Sequence, residues 1–127
     1  MKRRQLIQAA GGVFAAPALT SISKLSFAQA AYPSKPITWI VGYSAGGNAD
    51  SRSRQMAKAM GQVMGATIII DNKPGAGANI GTAAIVKGNP DGYTIGMGNF
   101  APLSVNQALF KSLPYVPSDA TPIMLIE

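Results

Sequence analysis

The stretch Ile37-Thr38-Trp39-Ile40-Val41 runs into Gly42-Tyr43-Ser44-Ala45-Gly46-Gly47 and then into Asn48-Ala49-Asp50-Ser51-Arg52-Ser53-Arg54. Its first part is apolar and β-rich, without polar alternation, which reads as a strand buried on both faces. Glycines release the chain, and Met56, Met60, Val63 and Met64 then recur at helical spacing, with Arg52, Arg54, Lys58 and Gln62 elsewhere around the helix. Asn48 or Asp50 is the expected cap of this helix and Gly65 its stop. A strand passing through a short loop into a helix is the repeating unit of a parallel sheet.

The unit returns twice. Thr67–Ile70 is a second apolar strand, ended by Asp71-Asn72-Lys73-Pro74-Gly75. A second helix is expected from about Asn79 to Lys87, with Ile80, Ala83, Ala84 and Ile85 turned inward. After the turn cluster Gly88–Gly92, Tyr93–Met97 makes a third strand and Leu103–Phe110 a third helix. A proline-rich segment, Pro114–Pro122, leads to the apolar run Ile123–Ile126, read as the beginning of a fourth strand. The order predicts an α/β fold with a mostly parallel, helix-covered sheet. A core strand at the last residue is also what a chain cut inside a domain would show.

Composition narrows the function. The 127 residues include no Cys and no His, which excludes a disulfide framework and a thiol nucleophile and removes the commonest general base. Eleven bases against five acids give +6, but Lys2, Arg3, Arg4 and Lys24 all lie in residues 1–30, which hold no acid. Without these four, seven bases face five acids, a net +2. A nucleic-acid partner is therefore not expected.

Residues 1–30 read as an export signal. Met1-Lys2-Arg3-Arg4 is a basic start, Leu6–Leu19 a mildly apolar stretch, and Ala28-Gln29-Ala30 a small-residue cleavage site with the cut after Ala30. The apolar stretch, interrupted by Gly11, Gly12 and Pro17, falls short of the ~20 residues a membrane span needs. Arg3-Arg4-Gln5-Leu6-Ile7 resembles a twin-arginine signature, and the Sec route stays open beside it. Either route implies the bacterial periplasm.

Three readings compete for the glycine-rich loops. Gly42-Tyr43-Ser44-Ala45-Gly46 satisfies the G-x-S-x-G elbow of α/β serine hydrolases, but the chain holds no His to take the serine proton, and the oxyanion loop would have to precede the first strand. Gly75-Ala76-Gly77-Ala78-Asn79-Ile80-Gly81 is one residue too long for a dinucleotide fingerprint, and its next acid, Asp91, falls in a turn. The third reading is anion capture without chemistry. Loops 43–50, 72–79 and 98–102 all leave the carboxyl ends of strands, the edge where α/β sheets bind ligands, and a helix starting near Asn48–Ser51 adds its positive end.

The motifs themselves carry a resemblance. Tyr32-Pro33-Ser34-Lys35-Pro36-Ile37, Gly46-Gly47-Asn48-Ala49-Asp50 with Arg54, Asp71–Gly77 with Asn79-Ile80-Gly81, Pro90–Thr94, and Asn106-x-Ala108-Leu109 with Leu113-Pro114-Tyr115 occur in order over residues 32–126. Together they resemble the substrate-binding proteins of the tripartite tricarboxylate transporter family, the Bug-type receptors. The resemblance implies the first lobe of a two-lobed (Venus flytrap) periplasmic receptor that closes over a small carboxylate and delivers it to a membrane permease. Carried over, it makes Tyr43, Ser44, Ala45, Gly46, Gly47, Asp50, Gly98, Asn99 and Phe100 ligand-holding residues, with Gly75, Ala76 and Asn79 lining the cleft. No catalytic residue, metal or cofactor is implied. The family often carries proline before its Gly-Gly pair, where this chain has Gly42-Tyr43-Ser44-Ala45. Its members also continue well beyond this length, so a non-functional fragment stands as a further alternative.

Simpler roles compete residue by residue. Asp50 and Asn79 can cap helices, Arg52 and Arg54 can form ion pairs or face solvent, Trp39 and the methionines suit a core, and Tyr93 suits packing at a strand start.

Overall fold

The computed structural model describes residues 31–126. The export signal expected over residues 1–30 lies outside the described residues, as does Glu127. The elements are β1 (Ile37–Val41), α1 (Asn48–Met64), β2 (Ile68–Asn72), α2 (Asn79–Val86), β3 (Thr94–Met97) and α3 (Asn106–Leu109). A tight left-handed turn, Ala76–Ala78, precedes α2, and a wide π-helical turn, Ala101–Val105, precedes α3. The alternation read from the sequence holds.

β1 is the middle strand of a three-stranded sheet in the order β2-β1-β3. It pairs in parallel with β2 from Ile37↔Ile68 to Val41↔Asn72, and with β3 from Thr38↔Thr94 to Val41↔Met97. Ile37, Trp39, Ile40 and Val41 are all buried, as an unalternating apolar run requires of a strand covered on both faces. Successive side chains point to opposite faces. Trp39 and Val41 pack with Ala57 of α1, supported by Met56, Met60, Ile68, Ile70 and Ile95. The chain steps from β1 outward to β2 and then back across β1 to β3. One crossover handedness for both steps calls for helices on opposite faces.

The second helix touches the sheet through backbone at Gly81 and through the Ile85 side chain, which lies over Gly96 of β3 as the sequence reading expected. A Cβ placed on Gly81 would lie 2.5 Å from Gly42 Cα and 3.1 Å from the Lys73 carbonyl oxygen. This contact sets the rotation of α2 and overturns one expectation. Ile80 is exposed, while Asn79, Gly81 and Thr82 are the buried residues of the helix. The helix turns its smallest residue to the sheet because that allows the closest approach.

Other boundaries shift for local reasons. The first helix begins at Asn48 with Gly47 as its N-cap, so neither Asn48 nor Asp50 caps it, and Gly65 ends it in the left-handed region as expected (φ 62°). Ala78 precedes α2 without a side-chain cap, so Asn79 does not cap that helix. The expected helix 103–110 is split into the π turn and the short α3. Among the described residues Ile123–Ile126 pairs with no strand, Ile123 and Leu125 are exposed, and of these four residues only Ile126 packs against the core.

Gly81→Ala is expected to destabilise the protein by about 1–3 kcal/mol, because a methyl driven into backbone finds no side chain to displace. Urea unfolding of the variant checks this, and Ala84→Ser, on the same helix at a half-buried position, should cost distinctly less.

Candidate functional site

Parallel strands send all their following loops to one edge. The crevice of such a sheet opens where strand order reverses, here between the loops that leave β1 and β3. A groove of about 580 Å³ lies there. Tyr43, Ser44 and Gly47 supply one side, Met97 and Asn99 another, and Asn48, Ala49 and Arg52 of α1 its floor. Ser51 is the first residue of α1 whose N–H bonds back, to the Gly47 carbonyl at 2.9 Å. The amides of Asn48, Ala49 and Asp50 precede it and have no intrahelical acceptor, which leaves donors and the positive helix end at the groove.

Behind the groove sits an ion pair between a buried carboxylate, Asp50, and a half-exposed guanidinium, Arg54. Asp50 is 3% exposed. Its Oδ2 accepts from Gly46 N–H at 2.9 Å and from Arg54 Nε at 2.9 Å. Arg54 Nη2 donates to Asn72 Oδ1 at 3.3 Å, and Asn72 Nδ2 donates to the Tyr43 carbonyl at 3.0 Å. The chain of bonds therefore runs from the loop into α1, across to the end of β2, and back to the loop. It works as a capping box does, an acid in the first turn reaching back to a preceding amide. Arg54 first, and the Gly46 amide second, lower the Asp50 carboxyl to about 2.

A second polar network fixes the next loop. Ala76, Gly77 and Ala78 all hold positive φ (48°, 63° and 70°), costly for alanine. Asn106 Nδ2 donates to the Gly77 carbonyl at 3.0 Å and to Asn79 Oδ1 at 2.7 Å. Tyr115 Oη lies 2.8 Å from Asn79 Oδ1 and 2.7 Å from the Pro102 carbonyl, with one proton to share between them. Asn79, Asn106 and Tyr115 are all buried, so the network ties the left-handed turn to the segment that follows β3.

The groove brings together Tyr43, Ser44, Gly47 and Asn99 of the expected ligand-holding residues. Ala45 and Gly46 are exposed at the loop tip, Phe100 is exposed just beyond Asn99, and Gly98 lies under Leu103. Asp50 is turned away into its ion pair, and Asn79 Oδ1 is committed to Asn106 and Tyr115, while Gly75 and Ala76 are exposed outside the groove wall. Asn48, Ala49, Arg52 and Met97 were not expected in the groove. A helix beginning at Asn48 puts Asn48 and Arg52 on one face four residues apart, a signal that an exact helix start would have supplied. Ser44 does not adopt a hydrolase elbow. The positive-φ non-glycine residues of the described chain are Ala76 and Ala78, whereas the elbow serine sits in a strained conformation of its own.

An open parallel sheet with a donor-rich groove at its switch point defines an α/β ligand-binding lobe. Comparison with known proteins makes the class specific. The pattern of the family described as tripartite tricarboxylate transporter family receptor matches residues 52–127, more than half of the chain, and the protein belongs to that family. It is similar to BugT of Bordetella pertussis, at 37% identity over 75% of this chain and 30% of that protein. Among solved structures it is similar to the periplasmic binding protein BugD, at 37% identity and a TM-score of 0.64 over 68% of this chain and 28% of the other. It is also similar to R. palustris Rpa4515, solved with adipate, at 28% identity and a TM-score of 0.65 over 68% of this chain and 29% of that one. The chain spans between 26% and 32% of the length of the curated relatives it matches.

Two outcomes are expected from these networks. The Asp50 carboxyl, held below its usual 3.8, adds stability that is complete above that value and is lost as pH falls from there toward about 2. Asp50→Asn should therefore melt several degrees lower at neutral pH, with the gap to the unmodified protein closing over that acid window in thermal melts. Tyr115→Phe removes a proton shared by two buried carbonyl oxygens and should cost about 1–3 kcal/mol in urea unfolding.

Proposed function

We propose that the protein is a periplasmic solute-binding receptor and that the described residues form part of its first lobe. Residues 1–30 direct export and are removed after Ala30. The receptor captures a small carboxylate and hands it to membrane permease subunits of a tripartite tricarboxylate-type transporter. It performs no covalent chemistry and needs no cofactor. The single observation that carries this reading is the groove at the start of α1, in a chain that belongs to a receptor family. The adipate held by one structural relative supports a carboxylate as ligand class.

Recognition follows from the groove chemistry. A carboxylate at the start of α1 accepts from amides that have no intrahelical partner and sits at the positive end of a 17-residue helix. Tyr43, Ser44, Gly47 and Asn99 surround it, and Phe100, Ala45, Gly46 and Gly98 edge the mouth. Gly75, Ala76 and Asn79 belong to the neighbouring loop of the same sheet edge. Asp50 carries negative charge close to the helix start, and its pairing with Arg54 removes the repulsion an anion would otherwise meet.

Calorimetric titration with adipate tests the reading. Saturable one-site binding is expected, and Ser44→Ala should change the affinity by less than about threefold, because backbone donors, each worth ~1 kcal/mol or more, hold the ligand. Absence of binding for adipate and for other small carboxylates overturns the proposal. Ester turnover lost on Ser44→Ala would establish the hydrolase in its place.

A further inference from the structure

We propose that Arg52 is a specificity-determining residue of the groove: it recognises a second acidic group on the ligand, so that the receptor selects a dianion over a monoanion of the same length. This inference rests on the carboxylate-receptor reading above and deepens it.

Arg52 is the one charged side chain among the residues lining the groove. Its Nε donates to Asn48 Oδ1 at 3.2 Å, within the same helix face. That bond uses one of five guanidinium donors and orients the planar fork, leaving the terminal N–H groups to meet a ligand. No carboxylate of the described chain takes them. The ion pairs there join Asp50 to Arg54, Asp71 to Lys73 and Asp91 to Lys35. Arg54, two residues away, is in the opposite situation, spent on the buried Asp50 and on Asn72. The two arginines divide the work: one neutralises an internal charge, and one is left for an external charge.

Spacing gives the ligand its shape. The free amides lie at Asn48–Asp50, and Arg52, rooted about one helical turn (~5.4 Å) beyond Asn48, reaches back to the Asn48 side chain, so its guanidinium stands beside the amides. One acidic group on the amides places a second within reach of Arg52 when a short carbon chain separates the two. A monocarboxylate of equal length would leave a carbon chain end against the guanidinium. Arg52 is solvent-exposed on the helix surface, so its replacement leaves the core and both polar networks untouched.

The test compares adipate with hexanoate, which share a carbon chain and differ by one carboxylate. Each is titrated calorimetrically into the protein, Arg52→Gln and Arg52→Lys, with melting midpoints confirming that the variants fold. The unmodified protein should bind adipate more tightly. Arg52→Gln should weaken adipate by about tenfold while leaving hexanoate within about twofold, and Arg52→Lys should recover part of the loss. The adipate affinity should also fall more steeply with added salt than that of hexanoate, a difference Arg52→Gln abolishes. Equal weakening of both ligands, or an adipate preference that survives in Arg52→Gln, overturns the assignment to Arg52 while leaving the receptor reading in place. Binding of neither ligand by the unmodified protein overturns both, and is seen before any variant is made.

Discussion

Everything in this chain hangs on β1 being bonded along both edges and covered on both faces. Its ladders with β2 and β3 satisfy the strand's backbone on both sides, and no position in it can carry a charge without burying it. Trp39 shows how strong that demand is. Its indole nitrogen finds no partner among the described residues, so the ring is kept for its volume against Ala57 and its neighbours despite an orphaned donor. Beyond Val41 the constraint relaxes abruptly. Gly42 lies against the Gly81 backbone, and only a residue without a side chain at position 81 admits that contact. The loop that follows is thereby fixed at its root.

The two loops at the binding edge are held by polar networks rather than apolar packing. Asp50, Arg54 and Asn72 fasten the loop after β1 to the end of β2. Asn79, Asn106 and Tyr115 fasten the left-handed turn to the segment after β3. Hydrogen bonds are directional where apolar contacts are not, so these networks specify one loop conformation instead of a family of them, although Asp50 Oδ1 is buried without a partner among the described residues. A loop ordered in advance gives up less entropy when a small ligand arrives. The strained alanines at positions 76 and 78 belong to the same logic: two amide side chains and a phenol over-determine a turn that would not persist alone.

How much of this was legible in the sequence depends on which force decides each feature. Apolar runs and glycine breaks report burial, so β1, α1, β2 and β3 and their parallel arrangement could be read directly. The outward turn of Ile80 could not, because the rule that places it inward assumes packing by side chains alone, whereas the helix sits on the sheet through Gly81 and Ile85. Ile123–Ile126 has the composition of a strand, but composition supplies no ladder partner. The roles of Asp50 and Asn79 depend on partners at positions 54, 106 and 115, and a polar residue near a helix start looks the same whether it caps, pairs or binds. The place of Arg52 in the groove was not read, where the sequence offered an ion pair or a solvent-facing side chain, for a related reason: its face is settled only once the helix is known to begin at Asn48.

The distribution of charge explains why recognition here has to be local. Over residues 31–127 the chain carries only +2, and three of its cations are tied to acids, so no broad field draws anions to this face. What remains at the groove is a helix start, equivalent to about half a positive charge, and one guanidinium. Both act over distances comparable to the ~8 Å screening length of physiological salt, so an anion senses them only when it is nearly in place. Affinity set by contact rather than by field can be retuned by one exposed helix position without disturbing β1 or either network. On the proposed reading, scaffold and charge recognition fall on separate residues, and Arg52 is where that separation is cleanest.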